Sequence, residues 1–195
     1  MEKYFVVTYS GQFGFIKPWT AVRDSETFSQ QFLTPSILEG IEKKLFPELL
    51  GSEGIFKVQR HRLSYAQISS QQEVIQTRGW NTTRQGKQTL FDRPKAIILR
   101  GVLLNPVLHL AFKDQRDAIA AYSQHICLAR NEDLLFPESI TEIEGSHFDS
   151  DEENFAGYEL IFEQNEKSFI VGYHRQTGKA MYGWLKTIGT PVKNF

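Results

Sequence analysis

Cysteine is almost missing from this chain. Cys127 stands alone, so no internal disulfide can form and no cysteine-rich zinc cluster can be built. No apolar run approaches the roughly 20 residues needed to cross a bilayer, which argues against a membrane role. The opening stretch MEKYFVVTYSGQ has only a short apolar run before polar residues and does not read as a secretory signal. Compact chemical signatures are missing too: there is no GxxxxGK[ST], no GxGxxG after a strand and no HExxH. What is present is ordinary globular material. Hydrophobic residues make up 41% and charged residues 23% of 195 positions, which excludes wholesale disorder and collagen-like repeats. The expectation is a protein of a reducing, cytoplasmic compartment that uses no cofactor and no metal.

A net charge of −1 hides an uneven distribution. Residues 56–100 carry nine cations (Lys57, Arg60, Arg62, Arg78, Arg84, Lys87, Arg93, Lys95 and Arg100) against Glu73 and Asp92. Residues 132–166 carry twelve acids and no Lys or Arg, and residues 167–195 carry five cations and no acid. Such asymmetry points to one face for a polyanion and a second surface of opposite sign. Uneven but merely solvated charge is the plain alternative.

Hydrophobic pattern supplies the elements. Tyr4 to Tyr9 is a β-branched and aromatic run bounded by Ser10-Gly11, hence a strand. Residues 10–33 read as irregular. Thr34-Pro35-Ser36 opens a helix, with Ser36 and Glu39 at capping-box spacing and Ile37, Ile41 and Leu45 on one buried stripe. Gly40 in that stripe suggests close packing, and Pro47 ends or bends the helix. Ile55 to Ile68 reads as extended, residues 69–93 as a long polar loop, and Ala96 to Phe112 as one buried, kinked strand. Asp114 to Arg130 reads as a second helix capped by Asp114, with Ala118, Ile119, Tyr122 and Ile126 on one face. Beyond the acidic segment 132–154, Tyr158 to Phe162 and Phe169 to Tyr173 alternate as a hairpin around Gln164-Asn165-Glu166. The order is βαββαβ, which predicts an α+β, ferredoxin-like (RRM-like) domain. It has a long thumb-like insertion between its second and third strands and a C-terminal β extension. The whole chain, 1–195, reads as one domain. Segments 1–68 and 94–175 form its core, 69–93 the basic insertion, 132–154 the acidic segment and 176–195 the extension.

No catalytic constellation is complete. His61, His109, His125, His147 and His174 are spread without ligand spacing. His109 and His125 read as packed structural residues, and Cys127 as a small core residue. His147 lies among Glu142, Glu144, Asp149 and Asp151, where a solvated acidic loop is a better account than a divalent metal. The basic segment is more suggestive. Arg60-His61-Arg62 with Tyr65, then Arg78-Gly79-Trp80, Arg84, Lys87 and Arg93, combine forked phosphate binders with a stacking face. Amides and hydroxyls from Asn81 to Gln88 add partners for bases and ribose. Tyr173-His174-Arg175-Gln176-Thr177-Gly178-Lys179 repeats the theme. Single-stranded RNA is the expected ligand.

Gly14-Phe15 through Lys17-Pro18, then Phe32-Leu33-Thr34-Pro35-Ser36 and Gly40-Ile41, resemble the N-terminal signature of the Cas-five family. Arg93-Pro94-Lys95 through Gly101-Val102 looks like that family's central strand, and Phe136-Pro137 to Glu144-Gly145 its later segment. The resemblance spans roughly the first 145 residues. It implies a prokaryotic RAMP-superfamily subunit of a type I CRISPR Cascade, serving antiviral defence or guiding a transposon. Such a subunit caps the 5′ handle of the crRNA through its thumb and touches the backbone subunit. It would also meet the large subunit, here through the acidic segment, and would meet target DNA only indirectly. The expected RNA-binding set is Lys17, Arg23, Arg60, His61, Arg62, Arg78, Trp80, Arg84, Lys87, Arg93, Arg175 and Lys179. A minority of the family cleaves pre-crRNA without metal, using a tyrosine before TPS and a Lys-His pair. This chain has Phe28 or Gln30 near the former position and no Lys-His dipeptide. If it were such an endoribonuclease, His61, His174 and Lys57 would be the candidates. A ferredoxin-like protein-interaction module is the third alternative.

Overall fold

Alternation of side chains along extended backbone explains why the first strand ends up sandwiched. In β1 (Lys3–Ser10), Val7 and Tyr9 face one way and Tyr4 and Val6 the other, and all four are buried. The computed structural model describes residues 2–18, 25–174 and 177–193. After β1 come β2 (Phe13–Gly14), β3 (Glu26–Phe28), α1 (Pro35–Leu45) and a single 3₁₀ turn at Pro47–Leu49. Then follow β4 (Val58–Ser64), β5 (Gln67–Gln76), β6 (Asn81–Gln85), β7 (Gln88–Asp92), β8 (Lys95–Leu104) and β9 (Val107–Phe112). The chain continues through α2 (Gln115–Tyr122), β10 (Ile126–Cys127), β11 (Leu134–Glu144) and α3 (Gly145–Ser150). It finishes with β12 (Gly157–Ile161), β13 (Phe169–Tyr173) and β14 (Ala180–Ile188).

The architecture is mixed α+β and dominated by sheet. Eight strands run in the order β10-β11-β1-β9-β4-β12-β14-β13, each antiparallel to its neighbours. A second sheet places β2 and β3 along one side of β8 and β5 along the other. β6 and β7 form a separate ribbon. α1 and α2 cover one face of the large sheet. Leu38, Ile41, Leu45, Ala118 and Ala121 pack there against Val7, Leu63, Leu108, Leu110 and Phe112. The Tyr9 hydroxyl donates to the Ala121 carbonyl at 2.7 Å, which lets a polar tip be buried in this layer. On the opposite face Phe148 of α3 and Phe155 cover Tyr4, Val6 and Ala111.

Several elements depart from the sequence expectation. α1 begins at the proline, with Thr34 as N-cap, but the Ser36–Glu39 capping box does not form. Glu39 instead accepts from Lys43 Nζ at 2.6 Å and from the Gly54 amide at 3.2 Å. Gly40 faces open space, so close packing is not its role. Ala96 to Phe112 is two strands in two sheets, because Asn105 adopts φ 46° and Pro106 cannot donate to a ladder. Asp114 caps α2, its carboxylate accepting from the Arg116 amide, but the helix stops at Tyr122. Ile119 and Tyr122 are therefore exposed, and Ile126 reaches the core from a strand. The acidic segment supplies β11 and α3. β12 and β13 do not form a hairpin, since β14 lies between them and pairs with both. Residues 10–33 contribute the short strands β2 and β3.

Candidate nucleic-acid interface

The largest correction concerns residues 69–93, which are an ordered arm. β5 pairs with β8 over ten rungs from Gln67↔Leu104 to Gln76↔Lys95, about 33 Å of ribbon. The Thr77 amide donates to the Pro94 carbonyl at 2.9 Å, and β6 and β7 carry the ribbon on from Asn81↔Asp92 to Gln85↔Gln88. The tip is the two-residue loop Gly86-Lys87, with Gly86 at φ 60° in the first central position, where a II′ turn takes glycine. β2 and β3 hold the base of the arm against β8.

This arm carries most of the exposed cations predicted from sequence. Arg78, Arg84, Lys87 and Lys95 are exposed, and none enters an ion pair among the described residues. Trp80 is 62% exposed at the junction of stem and tip. The Arg93 guanidinium lies 5.4 Å from the Trp80 ring centroid, and its Nε donates to the Thr77 carbonyl at 3.0 Å. Arg84 and Phe91 share one face of the tip ribbon, since Thr82↔Phe91 and Arg84↔Thr89 are alternate rungs. Flat rings beside unpaired cations are what a single-stranded polyanion binds. Arg100, nearer the base, is engaged by Glu73 at 3.3 Å.

Other predicted residues are not on this surface. Arg60 and Arg62, expected at RNA, are held in an internal charge network on the α3 side of the sheet. Arg60 Nη2 contacts Asp149 at 2.8 Å and Glu159 at 2.6 Å. Arg62 is wholly buried; it donates to Phe155 O at 3.0 Å and also binds Phe148 O, Asp149 and Glu159. Its guanidinium sits 4.0 Å from the Phe148 ring centroid. Lys186 completes the cluster, 2.9 Å from Asp149. Burial pushes the Asp149 carboxyl up, but hydrogen bonds from Arg60 and Lys186 outweigh it and hold the group well below the usual carboxylate range. Tyr65 is buried, its hydroxyl donating to Gln31 at 2.6 Å, so it offers no stacking face.

The candidate nuclease residues are not assembled. His61 is buried at the opposite face of β4 from Arg60 and Arg62, and desolvation pushes its imidazole down to about 4. Lys57 is gripped by Glu48 and Asp117, each at 2.8 Å, and lies over the Phe46 ring. His174 borders a different cavity beside Ser36 and Gly40, where its Nδ1 accepts from the Thr177 amide at 3.4 Å. Lys17 is exposed after the buried Phe15-Ile16 pair, and Lys179 is exposed in the β13–β14 connection. Arg23 and Arg175 lie outside the described residues. His125 is exposed beyond the end of α2, whereas His109 is buried with Nδ1 3.1 Å from Thr8 Oγ1. His147 pairs with Asp151 at 3.2 Å, and no cluster of three or more metal-ligating side chains occurs among the described residues. Among those residues no helix is long and apolar enough to cross a membrane.

Sequence reasoning missed Glu42, Asp149 and Glu159. None stands in a motif, and each acquires its partners only when separate elements meet. The turn at Gly86-Lys87 had a local signal in Gly86, a turn-favouring residue within the polar 69–93 segment.

The fold and the arm define a sheet-dominated α+β protein with a projecting basic ribbon. No known protein family matches the chain by sequence, and no curated protein matches it. Solved structures do match. One is described as a CRISPR RNA-guided surveillance complex, and a chain of it superposes with a TM-score of 0.54 over 97% of this chain and 90% of that chain. Identity is 10%, so the likeness is one of fold.

Proposed function

We propose that this chain is a non-catalytic RNA-binding subunit of a type I CRISPR Cascade, of the Cas-five kind, capping the 5′ handle of the crRNA. The arm carries the proposal: a ribbon of paired strands that presents Arg78, Arg84, Lys87 and Lys95 without an ion pair among the described residues, with Trp80 and Phe91 exposed beside them. Four strands of the large sheet, β11-β1-β9-β4, stand in the order fourth, first, third, second of a βαββαβ unit, with α1 and α2 on one face. That order supports a ferredoxin-like, RAMP-type core. The arm leaves this core between its second and third strands, where the family resemblance puts the thumb. The fold shared with a chain of a CRISPR RNA-guided surveillance complex supports the same assignment. RNA and the backbone subunit are the arm's partners, and the acidic β11–α3 segment is the surface for the large subunit. Its place is a prokaryotic cytoplasm. The nuclease alternative has less support, because His61 is buried and Lys57 is doubly paired.

The test is salt-dependent binding of single-stranded RNA. For single strands the slope of log affinity against log salt is about −0.7 per phosphate neutralised. Replacing Arg78, Arg84 and Lys87 by alanine reduces that slope by about 2 if each meets one phosphate. An unchanged slope and affinity would remove the arm from the RNA path.

A further inference from the structure

α3 and Phe155 cover only part of the second face of the large sheet. Beside them an open cleft of about 520 Å³ remains. Register builds its floor: Thr8↔Ser139 and Thr8↔His109 are rungs across β11-β1-β9, and Ser64↔Val107 is the last rung of β4 with β9. Val7, Leu63 and Leu108 point to the helices, so by alternation Thr8, Ser64 and His109 point here. Ser64 is 3% exposed and His109 5%. Thr8 Oγ1 stands 3.1 Å from His109 Nδ1, but neither His109 Nε2 nor the Ser64 hydroxyl has a hydrogen-bond partner among the described residues. The unpartnered side-chain atoms sealed from solvent belong to Thr27, Gln30, His61 and Trp184, so these two open onto the cleft. Packing holds both groups rigid, and a ligand meets them with little loss of side-chain entropy.

Charge narrows the ligand. Lys193 stands at the rim, exposed and without an ion pair among the described residues, its backbone amide fixed to the Tyr65 carbonyl at 3.0 Å. Burial, and then the positive charges of Arg62 and Lys193, push the His109 imidazole down to about 4. The ring is therefore neutral at pH 7 and the field over the floor is positive. Arg62 is occupied by its own carboxylates and carbonyls; Lys193 is not. The opposite rim does carry acids. Asp151 is engaged by Asn154 and His147, while Glu153 is exposed to water and adds nothing to the shift of His109. With Nδ1 accepting from the Thr8 hydroxyl, the His109 proton stands on Nε2 and faces the cleft. A ring N–H, a hydroxyl and an ammonium suit an anion that offers acceptor oxygens in several directions. The cleft also lies at the root of the arm, because β4 passes from Ser64 through Tyr65-Ala66 into β5, and β8 through Asn105-Pro106 into Val107.

We propose that this cleft holds one phosphate group, with His109 Nε2 and the Ser64 hydroxyl donating to its oxygens and Lys193 balancing its charge. The phosphate belongs to a bound RNA strand, which rests on the function proposed above; free inorganic phosphate is the other source of the same chemistry. The full chain, Lys193→Gln, Ser64→Ala and His109→Phe are titrated with a mixed-sequence eight-nucleotide RNA at several salt concentrations. Inorganic phosphate is titrated separately and followed by phosphorus NMR line broadening, and thermal unfolding reports the fold. Each variant is expected to bind the RNA about three- to tenfold more weakly. Lys193→Gln also lowers the slope of log affinity against log salt by about 0.7, one phosphate's share, whereas the uncharged changes at Ser64 and His109 leave the slope alone. RNA affinity and slope unchanged in the folded variants overturn the cleft and leave the arm as the RNA site. Phosphate binding that the variants weaken, without RNA binding, keeps the cleft as an anion site and overturns the RNA function. Binding of neither probe overturns both. Should His109→Phe fail to fold, Lys193→Gln carries the test, since Lys193 is exposed and its bond to Tyr65 is made by the backbone.

Discussion

Acid should weaken this fold well before its carboxylates titrate, because two histidines are buried in neutral form. Desolvation pushes His61 and His109 from an ordinary 6.5 down to about 4. Unfolding releases each to bind a proton, so between those values the unfolded chain holds more protons and stability falls as pH falls. The contribution is fully present above pH 6.5 and is lost progressively toward pH 4. At pH 5 each histidine costs about 2 kcal/mol relative to pH 7, and the two together about 4 kcal/mol. That is a large part of a typical total of about 5–15 kcal/mol. Asp149 does not confound this window. Its carboxyl is held low in the fold, so its contribution is present above pH 4 and fails only in stronger acid. The assay is urea unfolding by circular dichroism at pH 7 and pH 5, for the wild type and His61→Phe. The variant should lose about 2 kcal/mol less than the wild type on acidification. Equal losses would refute the claim that His61 is buried and neutral.

Three further outcomes follow from packing. Arg62→Met strands the carbonyls of Phe148 and Phe155 and removes a cation from Asp149 and Glu159, and should cost about 3–5 kcal/mol in denaturant unfolding. Glu42→Ala should cost about 3 kcal/mol in the same assay. The buried Glu42 carboxylate accepts from the amides of Phe56, Lys57 and Val58, the last at 2.7 Å, and so ties α1 to the start of β4. Gly189→Ala should lower the melting temperature, because Gly189 sits at φ 57° and an added Cβ would meet the Glu152 carbonyl oxygen. A variant as stable as wild type in any of these would show that the contact named is not made.

The elements that sequence makes plain are those whose burial is periodic. β1 shows its run of aromatic and β-branched residues, α1 its Thr-Pro start and fourfold stripe, and α2 its Asp114 cap. β5 offers no such contrast: it has no fully buried residue, so Gln, Ser and Glu alternate with little apolar signal and the ribbon reads as loop. β12 and β13 alternate convincingly, yet nothing local reveals that β14 will insert between them. The basic arm was visible as charge because its cations stay in water. Arg60 and Arg62 carry the same charge in the same block, and only the arrival of Asp149 and Glu159, about 90 or more residues later, turns them inward. Charge counting registers cations; it does not register which have partners.

The most direct measurement is of the RNA this chain carries. The tagged protein is expressed with its neighbouring genes and a repeat array, purified, and the copurifying RNA is sequenced from its 5′ ends. The proposed function predicts short RNAs sharing one repeat-derived 5′ end, together with stoichiometric partner proteins, and their depletion when Arg78, Trp80 and Arg84 become alanine. Recovery of the chain alone and free of RNA, or of RNAs with scattered 5′ ends that the arm substitutions leave unaltered, would contradict it.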